Sequence, residues 1–140
     1  MRQYKIGFVA LVVAFLFGLV SPAARAGAGI AGSWYGGYDC GEISEAWLDL
    51  AQDGRDIWGT FRFRTQAGVT GSFKMVGKKA MAGNFWLEGV EWVQQPANFR
   101  MIDLEGEISF SGKEMNGEVK TEGCKGFWFG PRPDDKPRPE

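Results

Sequence analysis

The stretch from Trp47 to Arg64 constrains the fold most, because apolar and polar residues alternate on both sides of a turn sequence. Alternation with a period of two places one set of side chains on each face of a β-strand. Asp53-Gly54 separates the two halves, and a two-residue Asp-Gly loop favours a tight hairpin turn. We therefore predict a β-hairpin in which Leu50 pairs with Ile57. The expected inward face comprises Ala46, Leu48, Leu50, Ile57, Gly59, Phe61 and Phe63.

The same alternation recurs along the rest of the chain, with glycines between short apolar runs and no helical period of useful length. Short strands joined by tight turns are typical of all-β domains. Consecutive hairpins that share one apolar face are best closed into a cylinder, because closure removes exposed strand edges. Residues 27–130 are therefore predicted to form a single antiparallel up-and-down β-barrel of about eight strands.

Residues 1–26 have the three parts of a secretory signal peptide. Arg2 and Lys5 precede the apolar run Ile6–Val20, and Ala24-Arg25-Ala26 fits a small-x-small cleavage site. The alternative is a membrane anchor, although a membrane span needs about 20 apolar residues. We predict cleavage at that site, no membrane span afterwards, and an exported protein that is periplasmic or extracellular.

The charge of the exported chain argues against one class of partner. Cleavage removes three basic residues and leaves 13 basic residues against 17 acidic ones, a net charge of −4. The signs are mixed throughout and form no basic stripe, so nucleic acid is not an expected partner.

Cys40 and Cys124 are the two cysteines of the chain. An even count in an exported protein suggests one disulfide. In a closed meander the first and last strands are neighbours, so a cysteine after the first strand can reach one that opens the last. Two cysteines without histidine supply too few ligands for a typical zinc site. We predict a Cys40–Cys124 disulfide, no metal site and no cofactor.

Residues 131–140 consist largely of prolines and charged residues. Such a composition buries little apolar surface, which is typical of a disordered, solvated segment. We predict a Pro-rich, charged tail, with a short linear motif for a partner as the alternative.

Gly32-Ser33-Trp34 on the predicted first strand resembles the Gly-x-Trp of calycin-like secreted β-barrels, which include lipocalins, avidins and bacterial periplasmic metalloprotease inhibitors. The closest local likeness, Ile30–Tyr35, is to avidin, and it implies fold rather than biotin binding. The resemblance implies that Trp34 packs near the barrel floor against a basic residue from the end of the last strand. Arg132 is the best candidate for that residue, with Lys125 second.

The sequence contains few residues of the types that catalyse reactions. The chain has no histidine, and histidine is the commonest general base and metal ligand. Glu45 with Asp49, and Glu105 with Glu107, share strand faces and could act as acid–base pairs, as carboxylates do in glycosidases. Solvated outer faces explain these positions more simply. We predict that the protein is not an enzyme, with a carboxylate-based hydrolase as the open alternative.

An apolar inward face supplies the candidate ligand-binding residues. They are Phe61, Phe63, Phe73, Met75 and Phe85, with Phe110 assigned to the same face. These side chains either fill the barrel as a packed core or line a cavity for a small ligand. Glycines 59, 71, 83 and 117 on this face are compatible with both alternatives.

Three tryptophans on the opposite face form a candidate partner surface: Trp47, Trp58 and Trp86. Clustered exposed aromatics mark a partner surface or are covered by another segment, for which residues 89–98 are the candidate. The sequence therefore predicts a secreted binding module with a small apolar ligand in the barrel. The alternative is a protein-binding inhibitor or interaction domain that uses the tryptophans and loops.

Overall fold

The computed structural model describes residues 29–140, and the predicted signal peptide lies outside them. Within these residues eight antiparallel strands form a closed barrel, in which each strand pairs with its sequence neighbours and the first pairs with the last. The predicted all-β up-and-down barrel is confirmed. The strands are β1 Gly32–Asp39, β2 Ile43–Asp53, β3 Asp56–Arg64, β4 Thr70–Lys79, β5 Asn84–Gln94, β6 Leu104–Ile108, β7 Met115–Val119 and β8 Gly126–Pro131. The described residues include no helix of the length and apolarity that crossing a membrane requires.

The β2–β3 hairpin has the predicted faces but a different register. Leu50 pairs with Gly59 rather than with Ile57, so the predicted register is wrong by two residues. The two turn residues are Gly54 and Arg55, and only the first has a positive φ, of 64°. A type II′ turn places glycine at its first central position. Because a shift of two residues keeps each side chain on its own face, the predicted inward set remains inside.

Aromatic side chains fill the barrel interior. Phe61 stacks on Phe73 with ring centroids 5.0 Å apart and meets Phe129 edge-on at 6.5 Å. Phe85 lies against Phe127 at 6.2 Å. These five side chains are at most 3% exposed. Of the two alternatives for the inward face, the structure shows the packed core.

Glycines allow neighbouring strands to approach more closely than any side chain permits. A Cβ atom on Gly59 would lie 1.8 Å from the carbonyl oxygen of Asp49, and one on Gly36 would lie 1.7 Å from that of Trp128. Glycine within a strand often marks such a close backbone approach. The inward Gly59 therefore serves tight packing between β2 and β3.

The prediction that Phe110 faces inward is wrong, because its side chain is 104% exposed. β6 ends at Ile108, and a turn closed by the hydrogen bond from Ser109 N to Glu114 O carries Phe110 out of the sheet. Strand alternation applies only within a strand, and Phe110 lies two residues beyond the end of β6.

The predicted disulfide between Cys40 and Cys124 is present. It joins the β1–β2 turn to the β7–β8 loop across 84 residues of sequence. On the chain-entropy model, closing a loop of this length stabilises the folded state by roughly 4 to 5 kcal/mol.

The opposite end of the barrel is closed by Ile30 and Trp34, which are 0% and 5% exposed. Trp34 Nε1 donates a hydrogen bond to Ile30 O at 3.0 Å, and Ile30 N donates to Gln52 Oε1 at 2.9 Å. Trp34 therefore lies at the barrel floor, where the calycin-like resemblance places it.

Arg132 does not take the position that the resemblance implies. Its backbone N donates a hydrogen bond to Ser33 O at 3.0 Å. Arg132 is therefore paired with Ser33, a residue whose side chain lies on the outer wall. Its guanidinium reaches Lys136 O at 3.4 Å. Trp34 points inward, so the two side chains lie on opposite faces of the wall.

Residues 132–138 correct the prediction of a disordered, solvated tail. Their backbone is irregular, with one turn closed by Lys136 N and Pro133 O at 3.1 Å. The segment nevertheless folds back onto the outer wall of β1 and β2. Trp47 Nε1 donates to Lys136 O at 3.0 Å, and Arg138 pairs with Asp49. The composition is typical of a solvated segment, but its basic residues Lys136 and Arg138 contact Tyr35 and Asp49 on the barrel wall.

Candidate functional site

The open end of the barrel holds a cleft of about 440 Å³. The β1–β2 turn and the loops β3–β4, β5–β6 and β7–β8 surround it. This volume lies within the range of about 300 to 1,000 Å³ that is usual for ligand pockets. The lining combines aromatic, aliphatic and hydroxyl side chains, including Tyr38, Ser44, Thr65, Phe99, Ile102 and Thr121.

An aromatic layer separates the cleft from the barrel interior. Phe99, from the β5–β6 loop, stacks on Phe63 with centroids 5.3 Å apart. Tyr38 meets Phe63 edge-on at 6.5 Å and Phe61 edge-on at 5.4 Å. A ligand in the cleft would therefore rest on Tyr38, Phe99 and Ile102 without entering the core.

Tyr38 and Ser44 are the polar residues buried at the base of the cleft, at 6% and 4% exposure. Burial raises the pKa of the Tyr38 phenol to about 12, and the nearby Ser44 hydroxyl offsets only part of this effect. The phenol is therefore neutral at neutral pH. It can donate a hydrogen bond to a ligand or accept one from it, but it is a poor general base.

The rim of the cleft carries opposite charges. Glu42 Oε2 accepts a hydrogen bond from Gln66 N at 3.0 Å, and the Arg100 guanidinium donates to Glu122 O at 2.9 Å. Glu42 is the one carboxylate among the described lining residues. The cleft therefore lacks the second carboxylate that an acid–base pair requires.

The five predicted ligand-binding residues come together, as the alternation indicated, but they lie beneath the cleft and none lines it. Phe61, Phe63, Phe73, Met75 and Phe85 are 0–2% exposed. That these residues contact a ligand directly stays a prediction. Their burial in the packed core argues against it.

Sequence reasoning missed Phe99 and Ile102, because the β5–β6 loop has no alternation from which their direction could be inferred. It also missed Tyr38, although a signal was available. Tyr38 lies two residues beyond Gly36 and four beyond Trp34, which places all three on the inner face of β1.

Two of the three predicted partner-surface tryptophans are accessible. Trp58 and Trp86 are 45% and 49% exposed on the outer wall. Trp58 pairs directly with Val76, which is 44% exposed, and Trp86 lies diagonal to Val76 across the β4–β5 pair. We call these three residues the tryptophan stripe. Trp128 is also 46% exposed. Its position between the inward Phe127 and Phe129 on β8 would have predicted its outward direction from the sequence.

Trp47 also points outward but is only 1% exposed. Tyr35 meets its ring edge-on at 5.3 Å, and the Arg64 guanidinium lies 5.0 Å from the ring centroid. Its cover is the C-terminal segment rather than residues 89–98, most of which belong to β5. Trp47 is therefore not part of an exposed surface.

The candidate carboxylates on β2 are bound to cationic and hydroxyl groups. Glu45 accepts hydrogen bonds from the Tyr35 hydroxyl and from Arg64, and together these lower its pKa. Burial opposes ionisation of Asp49, but hydrogen bonds from Arg138 and Ser33 and nearby positive charge outweigh it and lower its pKa. Neither group is held protonated, as a general acid must be.

Residues 29–140 contain no cluster of three or more histidine, cysteine, aspartate or glutamate side chains suited to a metal ion. Comparison with known proteins finds no family model, no curated protein and no solved structure that matches the chain. The closed eight-stranded barrel fits a calycin-like architecture in general. Fold and site together define a small disulfide-linked β-barrel with a cleft at its open end.

Proposed function

We propose that the protein is an exported, non-enzymatic binding module that holds a small, largely apolar ligand in the cleft at the barrel mouth. The observation that supports this most is the 440 Å³ cleft with an aromatic base and hydroxyl groups among its lining residues. Ligand sites of this size are usually apolar with a few placed polar groups.

The packed interior limits what the ligand can be. Because Phe61 and Phe73 stack inside the barrel, a long acyl chain has no channel to enter. A compact group fits better, with its apolar face on Phe99 and Ile102 and a polar edge towards Ser44. Arg100 at the rim would favour an anionic substituent that points to solvent.

Several observations support the remaining parts of the proposal. A disulfide is typical of exported proteins, which agrees with the signal-peptide pattern. The ion-paired Glu45 and Asp49 support a non-enzymatic role. Trp34 at the barrel floor supports a calycin-like relationship.

The dye anilinonaphthalene sulfonate tests the cleft, because it combines a compact apolar body with one negative charge. We expect micromolar binding by the oxidised protein, weakened about tenfold by Phe99→Ala, since losing about 1.4 kcal/mol of contact is a factor of ten. Phe110→Ala is the matched control, because it removes an exposed phenylalanine at the other end of the barrel. Loss of binding in the control with none in Phe99→Ala would refute the cleft as the site.

Native mass spectrometry of the exported protein gives an independent readout. A co-purified small molecule that is absent from the Phe99→Ala protein would support the proposal. A wild-type protein that carries no ligand and takes up no dye would count against it.

The tryptophan stripe supports a second candidate function, binding to another protein. Trp58, Val76 and Trp86 are 44–49% exposed on neighbouring strands, and tryptophans are enriched at the energetic centres of interfaces. A partner captured from the compartment by the wild-type protein, and lost with Trp58→Ser/Trp86→Ser but kept with Phe99→Ala, would favour this role. Equal capture by all three proteins would reject the stripe.

A further inference from the structure

A second site lies on the outer wall of β1 and β2, away from the cleft, and it consists of two aromatic residues, a serine and an aspartate beneath the C-terminal segment. Ser33 and Tyr35 of β1 pair with Asp49 and Trp47 of β2. We call these four residues the wall groove. Trp47 at its base points outward from the barrel, yet it is only 1% exposed because residues 132–138 lie across it.

The aromatic half of the wall groove binds backbone. Trp47 Nε1 donates a hydrogen bond to Lys136 O at 3.0 Å. The Lys136 ammonium lies 5.5 Å from the centroid of the Tyr35 ring, a distance at which a cation is attracted to an aromatic face. This half therefore recognises a carbonyl at the end of a turn together with a nearby positive charge.

The acidic half binds arginine. Arg138 donates two hydrogen bonds to Asp49, from Nε to Oδ2 at 2.5 Å and from Nη2 to Oδ1 at 2.8 Å, and a third from Nη2 to Ser33 Oγ at 3.0 Å. Arg62 at 3.0 Å and the Ser33 hydroxyl at 2.7 Å hold the carboxylate in place from other sides. A two-point contact of this kind fits the planar guanidinium and is not reproduced by lysine.

The C-terminal segment, residues 133–140, makes few contacts that would prevent it from dissociating from the barrel wall. β1 and β2 are already paired on both edges in the closed barrel, so the segment lies on their outer face and adds no strand. From Arg132 onwards the main chain makes two bonds to the barrel: Arg132 N donates to Ser33 O, beside the end of β8, and Lys136 O accepts from Trp47 Nε1. The side chain of Arg138 is 39% exposed. Releasing residues 133–140 would therefore leave the strand pairing intact.

Aromatic grooves that bind extended Pro-rich segments are a recurring mode of peptide recognition. We propose that the wall groove is a binding site for a peptide in which an arginine is flanked by prolines, and that Pro137-Arg138-Pro139 occupies it in the isolated chain. A partner with such a segment binds by displacing the protein's own C-terminus. This inference is independent of the ligand cleft, because the wall groove shares no residue with the cleft lining.

The test uses the oxidised full-length exported protein and a synthetic peptide with the sequence of residues 131–140. Binding is followed by NMR through the indole N–H signal of Trp47. In the wild type the attached segment competes at an effective concentration in the millimolar range. We expect Arg138→Ala to weaken that competitor, so that the variant binds the peptide at least tenfold more tightly than the wild type does.

Three controls make the result specific. Adding Asp49→Asn to Arg138→Ala should abolish the gain, and a peptide with Arg138→Lys should bind the Arg138→Ala protein at least fivefold more weakly. Arg55→Ala removes an exposed arginine of the β2–β3 turn, outside the wall groove and the cleft, and should leave peptide binding at the wild-type level.

Three outcomes would overturn the proposal. The first is an Arg138→Ala protein that is folded and binds no peptide at several millimolar, because the segment would then be only a structural cover. The second is equal binding with and without Asp49→Asn. The third is a wild-type dimer that exchanges C-terminal segments, because the occupant would then be a second copy rather than the chain's own C-terminus.

Discussion

Replacing Phe61 with alanine tests the packed interior most severely. The side chain is fully buried and lies 5.0 Å from Phe73, 5.4 Å from Tyr38 and 6.5 Å from Phe129, measured between ring centroids. These rings come from four different strands, so the barrel cannot collapse around the gap by moving one element. We expect Phe61→Ala to lower the free energy of unfolding by about 3 to 5 kcal/mol, the usual cost of removing a buried phenylalanine ring. That is a large share of the roughly 5 to 15 kcal/mol that stabilises a typical domain.

Guanidinium denaturation followed by far-ultraviolet circular dichroism measures this loss, with the disulfide intact in both proteins. Trp58→Ala is the matched control, because it removes a large aromatic side chain from the same strand at a position that is 45% exposed. The control should cost about 1 kcal/mol or less. Equal losses in Phe61→Ala and Trp58→Ala, both near 1 kcal/mol, would show that the interior is not filled.

Four further predictions follow from individual contacts. Reducing the Cys40–Cys124 bond should lower stability by roughly 4 to 5 kcal/mol, measured by denaturation with and without reductant. The pKa of Asp49 is lowered in the fold from 3.8, so its contribution is present above that pH and is lost on acidification. The stability curves of the wild type and Asp49→Asn should accordingly begin to converge as the pH falls below about 4. The pKa of Tyr38 is raised from 10.0 to about 12, so its contribution is complete below pH 10 and is lost as the pH rises through 12. Tyrosinate absorbance should show this late ionisation, and a midpoint at the ordinary value would contradict the burial of Tyr38. Gly59→Ala should prevent folding or cost several kcal/mol, because the new Cβ would lie 1.8 Å from a backbone oxygen; a fully folded variant in circular dichroism would refute the close approach.

The barrel could be predicted because its governing signal is local. Alternation along β2 and β3 assigned Leu48 and Phe61 to the core without any knowledge of which residues pair. The register depended on one turn, and there the preference of Gly54 for the first central position outweighed the Asp-Gly pattern. An error of two residues changed the pairing and left the core intact.

The candidate site depended on signals that are not local. Phe99 reaches the cleft from an irregular loop, where no period indicates its direction. Trp47 was correctly assigned to the outer face, but its cover lies 89 residues away in sequence, at Lys136. The Pro-rich composition of residues 131–140 predicts how this segment would behave in isolation. It carries no information about the Asp49 carboxylate, which the fold places within reach of Arg138.

In the proposed function the barrel is filled, and a ligand binds at its mouth rather than inside. NMR of isotope-labelled isoleucine and methionine methyl groups during titration with anilinonaphthalene sulfonate tests it directly. We predict that the signal of Ile102, which lines the cleft, shifts with dye concentration, while those of Met75 and Met115, both at most 1% exposed in the interior, do not. Saturable shifts at Met75 and Met115 with none at Ile102 would contradict the claim and place the ligand within the barrel.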